Sequence, residues 1–326
     1  MSRKNWIYAQ AEGISQLADE FDNDLVITGT RVLSASFPGL PDIDLLDKLG
    51  PHRIIDYSAI DEKWYCGAAL GSALIGIRAI HDHNQSMAEA YPLHLVSQHA
   101  AKLHHMTGGQ ATIPCVFKIA LSGQAPGMAG QHSDYESDSW YAHIPGVKTV
   151  IPSTVYDAKG LLIAAVRSGD PIVYFDYGRF RALIEEAPDE AYEVPIGKAA
   201  LRSEGSDITI VGSGGSMPPI MSATERLQQE GVSVEAIDLR SLHPIDTETL
   251  VKSAEKTGKV LTVDQSKYTL GPGAEVIARI AEGVPGTHFR RIAYPDAPPP
   301  GAPEMFNWMT PNADHVYDAA ARLLSA

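Results

Sequence analysis

The sequence predicts an α/β protein of two parallel-sheet domains, and three observations carry that expectation. Short apolar runs that end in turns, such as Asp24-Leu25-Val26-Ile27-Thr28-Gly29, alternate with longer stretches of helical character. The expected strands are apolar almost throughout, the pattern of a parallel sheet covered by helices on both faces. An acidic, proline-containing stretch between Ile184 and Pro195, with Glu185, Glu186, Pro188, Asp189 and Glu190, then interrupts the alternation. The first domain is expected over residues 1–185, a linker over 186–199 and the second domain over 200–326.

In the first domain, strands are expected from Asp24 to Gly29 and from Arg53 to Tyr57, then a helix from Glu62 to Gly76 and a strand from Arg78 to Asp82. A long helical pattern from Met87 to Met106 stops at Gly108-Gly109, because glycine adopts the backbone that ends helices. Strands follow at Ile113 to Ala120, Lys148 to Ile151 and Pro171 to Tyr177, with a helix from Val155 to Arg167 between the last two. The second domain repeats the alternation, with strands at Asp207 to Val211, Ser233 to Asp238, Val260 to Asp264 and His288 to Ala293, and a helix at the C-terminus. Pro218 falls near a first helical turn, where its missing N–H costs nothing. The loop before it, Gly212-Ser213-Gly214-Gly215-Ser216, lacks the third glycine of a dinucleotide-binding fingerprint, since Met217 stands there.

Composition excludes several classes. The 326 residues carry a net charge of −14 with no basic cluster, which argues against nucleic-acid and anionic-membrane binding. No apolar run is long enough to span a bilayer, and the start leads into an amphipathic helix rather than a signal peptide. The two cysteines, Cys66 and Cys115, form no Cys-x-x-Cys pair, so a reducing, cytoplasmic setting is expected rather than a disulfide scaffold or zinc site.

Glu62 stands where a strand gives way to the helix through Gly67-Ala68-Ala69. A carboxylate there is either an ordinary helix-start residue favoured by the helix dipole, or an acid–base group held on a rigid junction. Asp61 reads as a capping or solvated residue. His132 lies in the small-residue loop Ala129-Gly130-Gln131-His132-Ser133, where an imidazole can enter a cleft or simply bond to backbone. Acidic neighbours Asp134, Glu136 and Asp138 would favour its cationic form. His81 and His83 have strand spacing and face one side, as polar lining of a cleft or as a metal pair, with no third ligand evident nearby. His94, His99, His104 and His105 make no zinc-protease helix and read as surface or partner-facing residues.

Three runs follow Ile60-Asp61-Glu62 and Gly67 in order: Gln131-His132-Ser133, Trp140-Tyr141-Ala142-His143-Ile144-Pro145-Gly146 and Tyr156-Asp157-Ala158-Lys159-Gly160-Leu161-Leu162. Ile237-Asp238-Leu239-Arg240-Ser241-Leu242-His243-Pro244-Ile245-Asp246 comes later. Together they resemble the β subunit of the thiamine-diphosphate-dependent, decarboxylating component of 2-oxo acid dehydrogenase complexes, of pyruvate, acetoin or branched-chain type. The family belongs to the transketolase-like superfamily, and the resemblance runs from about residue 5 to the C-terminus. It implies a thiamine-diphosphate-binding pyrimidine domain followed by a transketolase C-terminal-like domain.

The resemblance also implies roles. Glu62 would hydrogen-bond to, or share a proton with, the cofactor's N1′ nitrogen, so that the cofactor's own amino group does the acid–base work. Ile60 belongs to the same signature, and His132 would assist substrate binding or acyl transfer. The chain departs from the family over residues 81–88, where Asn84 replaces a Met-like residue and Ala88 replaces a phenylalanine that packs on the aminopyrimidine. Ile119-Ala120-Leu121-Ser122-Gly123-Gln124 replaces an expected Gly-Pro-Asn-Gly pattern. A monovalent cation such as K⁺ would sit near Cys115, Ala165 and Asp170, with Ser168 where an Asp is usual. No Gly-Asp-Gly run occurs, so Mg²⁺ and the diphosphate would be held by a separate α subunit in an α₂β₂ assembly. The implied reaction decarboxylates a 2-oxo acid and passes its acyl group to the lipoyl domain of an acyltransferase. The alternatives are a split transketolase or acyloin-cleaving lyase, favoured by the polar 81–86 segment, and a non-catalytic β chain that scaffolds its partner.

Overall fold

The computed structural model describes residues 1–30, 32–38, 40, 42–57, 61–83, 90–121, 137–298 and 300–325. Along the chain run β1 (Ser2–Asn5), α1 (Trp6–Phe21), β2 (Leu25–Thr30), α2 (Leu45–Leu49), β3 (Ile54–Tyr57), α3 (Glu62–Leu74) and β4 (Arg78–His83). Next come α4 (Ala90–Leu95), a π-turn at Val96–Ala100, α5 (Ala101–Met106), β5 (Cys115–Leu121), α6 (Ser137–Ala142), β6 (Lys148–Val150), α7 (Val155–Ser168), β7 (Ile172–Tyr177) and β8 (Ile184–Ala187). The remainder is β9 (Ala200–Ser203), β10 (Ile208–Gly212), α8 (Met217–Gln229), β11 (Val234–Asp238), β12 (Ser241–His243), α9 (Thr247–Thr257), β13 (Lys259–Lys267), α10 (Pro272–Gly283), β14 (His288–Tyr294), α11 (Pro303–Met309) and α12 (Ala313–Leu324). Contacts divide the described residues into two units, one of 1–121 with 140–196 and the other of 137–139 with 197–325.

The first unit is built on parallel strands in the order β6-β7-β5-β4-β2-β3. Every residue of β2, β5 and β7 is buried, as their continuous apolar runs require of strands covered on both faces. Two helices cover one face. In α1, Asn5 caps the start by accepting from the Tyr8 N–H at 2.7 Å, and Ile14, Leu17 and Ala18 present a helical stripe to the core. In α7, Thr154 caps the start, and Gly169 ends the helix at φ 72°, where only glycine is unstrained. Their stripes meet Leu25, Ile27, Ile80 and Val116 of the sheet in one apolar cluster.

Two features answer to polar residues rather than apolar pattern. The polar strand β1 pairs antiparallel with β8, so the acidic stretch expected as a linker begins as a paired strand within the first unit. Buried Lys4 and Lys159 converge on Glu12, and both donate to the Pro188 carbonyl at 3.0 Å, which fastens the chain beyond β8. The helix expected from Met87 to Met106 is found from Ala90 with the π-turn inserted; residues 84–89 lie outside the described residues.

The second unit is a sheet in the order β14-β13-β10-β11-β9, parallel except for the antiparallel edge strand β9. Its core joins Ile208, Ile210, Leu261 and Val263 of the sheet to Met217, Ile220 and Leu227 of α8 and to Val316 and Leu323 of α12. The Gly212–Ser216 loop serves packing: Ser213 and Ser216 form a reciprocal capping box, and a Cβ on Gly212 would fall 2.3 Å from Ile220 Cδ1.

Candidate active site

The strand order of the first unit fixes where a ligand can bind. After β2 the chain adds β3 on one side, then crosses back to add β4 on the other, so the order reverses between β2 and β4. Open α/β sheets bind ligands outside the carboxyl ends of the strands at such a reversal. The helix that crosses this point is α3, and Glu62 is its first residue. Asp61 is the N-cap, accepting from the Trp64 N–H at 3.0 Å, as its capping reading requires. Thr28 donates its hydroxyl to the Tyr65 carbonyl at 2.8 Å and pins the first turn of α3 to β2. Gly29 lets β2 and β4 close up here, since a Cβ would fall 2.4 Å from the Asp82 carbonyl oxygen.

His81 and His83 share one face of β4, as their spacing predicts, with rings 5.8 Å apart. Both are buried. The His81 ring stacks on Tyr65 of α3, with its edge toward Phe117 of β5. Among the described residues neither ring nitrogen of His81 has a hydrogen-bond partner. Burial, then the neighbouring His83, pushes its pKa well below the ordinary 6.5, so the imidazole is neutral at physiological pH. Burial likewise pushes the Cys66 thiol of α3 up to about 12, and raises Cys115 with a further contribution from Cys66, so neither is a nucleophile. On this face of β4, beneath the start of α3, a neutral imidazole and two aromatic rings pack together.

The opposite face carries the charge. Lys118 of β5 lies buried between Asp176 of β7 at 2.8 Å and Asp82 of β4 at 3.3 Å. Asp176 also accepts from the Trp6 indole N–H at 2.5 Å and from the Gln10 amide at 3.2 Å. Burial opposes the Lys118 charge, but the two aspartates outweigh it and hold its pKa above the usual value. Burial opposes the Asp176 charge too, and Lys118 outweighs that, holding the carboxyl below its usual range. Sequence reading missed this triad because its members are brought together only by strand order. The one signal was a lysine inside the apolar run Cys115–Leu121.

Of the residues expected at the site, Glu62 is placed by its backbone at the carboxyl edge of the sheet. Ile60, Asn84, Ala88 and His132 lie outside the described residues. The three residues expected around a monovalent ion are engaged locally. Cys115 is buried at the start of β5, the Ala165 carbonyl accepts from Ser168 Oγ at 3.0 Å, and the Asp170 carboxylate pairs with Lys148. Among the described residues there is no group of three or more His, Cys, Asp or Glu able to hold a metal ion. No helix among them is long and apolar enough to cross a membrane.

A parallel unit with its order reversal under a helix start, followed by a second α/β unit, defines a transketolase-type pair of domains. Residues 40–179 match the family described as transketolase, pyrimidine binding domain, and residues 197–316 match transketolase, C-terminal domain. The chain is 33% identical over 324 residues to the mitochondrial pyruvate dehydrogenase E1 component subunit beta of Saccharomyces cerevisiae, covering 95% of this chain and 87% of that one. It is 36% identical over 279 residues to the pyruvate dehydrogenase E1 component subunit beta of Acholeplasma laidlawii, covering 83% of each. A solved structure titled split gene transketolase, inactive beta4 tetramer, superposes with a TM-score of 0.80 at 20% identity over 97% of both chains. That last likeness concerns the fold. The chain belongs to the family of pyruvate dehydrogenase E1 component β subunits, as the sequence motifs imply.

Proposed function

We propose that this chain is the β subunit of a thiamine-diphosphate-dependent 2-oxo acid dehydrogenase component, which decarboxylates a 2-oxo acid and passes the acyl group to a lipoyl domain. The observation that carries the reading is the position of Glu62, first residue of α3 above the β2/β4 reversal, in a chain of this family. Bound thiamine diphosphate supplies an electron sink for cleaving the bond between the carboxylate and the oxo carbon. The residues present fit such a heteroaromatic group. Below α3 lie the rings of Tyr65, His81 and Phe117, and the two His81 nitrogens, which have no partner among the described residues, add polarity without charge.

In this reading the Glu62 carboxyl holds or shares a proton at N1′. Ile60, Asn84 and Ala88 would belong to the cofactor-binding residues, and His132 would assist substrate binding or acyl transfer. Mg²⁺ and the diphosphate belong to an α subunit in an α₂β₂ assembly, and a K⁺ ion to Cys115, Ala165 and Asp170. The pyrimidine-binding domain ends near residue 185 and the C-terminal domain starts near 200. The two buried free thiols, Cys66 and Cys115, suit a reducing cytoplasm. The polar pair His81 and His83 favours one second reading, a split transketolase or acyloin-cleaving lyase.

The test is to purify the tagged chain from its source, identify what accompanies it, and assay the assembly. The reading expects an equimolar chain carrying Gly-Asp-Gly, and thiamine-diphosphate-dependent release of CO₂ from a 2-oxo acid with acylation of an added lipoyl domain. Turnover of sugar phosphates or acyloins without lipoyl acylation supports the second reading. A chain recovered alone that binds no thiamine diphosphate contradicts both.

A further inference from the structure

The second unit carries a feature that involves no residue of the site above. Among the described residues, β14 is the outer strand of its sheet, paired with β13 alone. The His288 N–H donates to the Gly258 carbonyl at 2.9 Å, and the Tyr294 carbonyl accepts from the Tyr268 N–H at 2.8 Å. Backbone groups alternate between the two edges of a parallel strand, so Phe289, Arg291 and Ala293 turn theirs away from β13. No hydrogen bond to these outward groups occurs among the described residues. Nor does the strand contain a proline, one of the devices that close such an edge to pairing.

A cavity adjoins the strand on each face. Thr262, which pairs with Arg291, meets α10 at Gly273, so Phe289 and Arg291 face the α10 side. Val263, which pairs with Ile292, belongs to the core shared with α12, so Ile292 faces that side. A cavity of about 310 Å³ is lined by Ile277 of α10 with Tyr268, Phe289, Arg290 and Arg291. Neither arginine is in a salt bridge among the described residues. Arg291 lies over the Tyr268 ring, 4.2 Å from its centre, and Asp264 and Asp296 feel its charge without pairing with it. A larger cavity of about 520 Å³ is lined by Ile292, Pro295, Trp308, Met309, Pro311 and His315, and Trp308 is 74% exposed. Its carboxylate, Asp296, is engaged by the Thr269 N–H at 3.0 Å and hydroxyl at 2.6 Å.

We propose that β14 is a docking edge for an extended segment of a partner chain in which carboxylates alternate with apolar side chains. The outward backbone groups of Phe289, Arg291 and Ala293 supply the hydrogen bonds of the added strand. Strand alternation sends its carboxylates to the α10 side, beside Arg290 and Arg291, and its apolar side chains to the larger cavity. Charge decides the occupant. The chain as a whole carries −14, so two arginines without a salt bridge on its outer strand reverse the sign locally and favour an acidic partner. A second copy of this chain in the same place would set β14 against β14 and bring the arginines of both copies together, which like-charge repulsion opposes.

The test uses the full chain and two fluorescently labelled peptides, Glu-Val-Glu-Phe-Glu-Val and its counterpart Lys-Val-Lys-Phe-Lys-Val. Fluorescence anisotropy should show the acidic peptide bound about ten-fold tighter than the basic one, or more. Hydrogen exchange of the complex should show new protection at the amides of Phe289, Arg291 and Ala293. Ala293→Pro removes one outward N–H at an edge position that tolerates proline, and Arg290→Glu reverses one charge. Each should weaken binding of the acidic peptide by about ten-fold, with thermal unfolding close to that of the wild type. Absence of binding, equal binding of the two peptides, or binding that survives both substitutions overturns the proposal. The arginines would then serve only to keep the edge from pairing.

Discussion

Tyr65 lies stacked on His81, with ring centroids 5.5 Å apart and planes 30° from parallel. The contact joins the first turn of α3 to the middle of β4, so the helix that begins with Glu62 rests on an imidazole whose burial favours its neutral form. The site's floor is therefore linked to pH through its stability.

In an unfolded chain His81 protonates near pH 6.5, whereas in the folded state burial and His83 depress its pKa well below that. Its contribution is present above pH 6.5 and lost as pH falls, at up to about 1.4 kcal/mol per unit. His81→Phe keeps an aromatic ring in the stack and removes the titration. Urea unfolding at pH 7.5 and pH 5 should show a smaller acid-side loss for the variant. Identical losses would contradict the account.

Lys118→Met replaces the central cation with an apolar chain of similar volume and leaves Asp82 and Asp176 facing each other in the interior. Removing one partner from a buried ionic cluster costs about 3–5 kcal/mol. Denaturant unfolding at neutral pH should show a loss of that size, and a loss below about 1 kcal/mol would mean the triad contributes little.

Gly29 and Gly71 should respond oppositely to alanine. At Gly29 the new methyl meets the Asp82 carbonyl at 2.4 Å, in backbone that cannot shift without breaking the β2–β4 register, and a loss of about 1–3 kcal/mol or more is expected. At Gly71, inside α3, no described residue lies within 4 Å, so alanine should gain about 0.5–1 kcal/mol from helix propensity. Thermal unfolding of the two variants side by side checks the pair of signs.

The sheets were legible because their strands are buried on both faces and so appear as unbroken apolar runs; β7, Ile172–Tyr177, was expected to within one residue. The strand β1 was not legible. Its residues are polar, and Lys4 is buried only because Glu12, Asp189 and the Pro188 carbonyl, contributed by other elements, satisfy it. The long helix before Gly108 was legible as a helix, but the π-turn at Val96–Ala100 leaves no period that could announce it. The start of α3 at Glu62 was legible from the strand-to-helix junction. The burial of Asp138 was not legible: in sequence it reads as an acidic neighbour of His132, while the fold buries it at the start of α6, where it accepts from the Ser139 N–H. Local pattern reports which residues are inside; pairing between distant strands decides what they meet there.

The central claim is that Glu62 serves the cofactor from the start of α3. The most direct measurement is 2-oxo acid decarboxylation by the assembly carrying Glu62→Gln, with thiamine diphosphate binding and subunit composition measured on the same samples. The account predicts a fall of about 10²–10⁴-fold in turnover with assembly intact. Turnover equal to that of the unsubstituted assembly would contradict it.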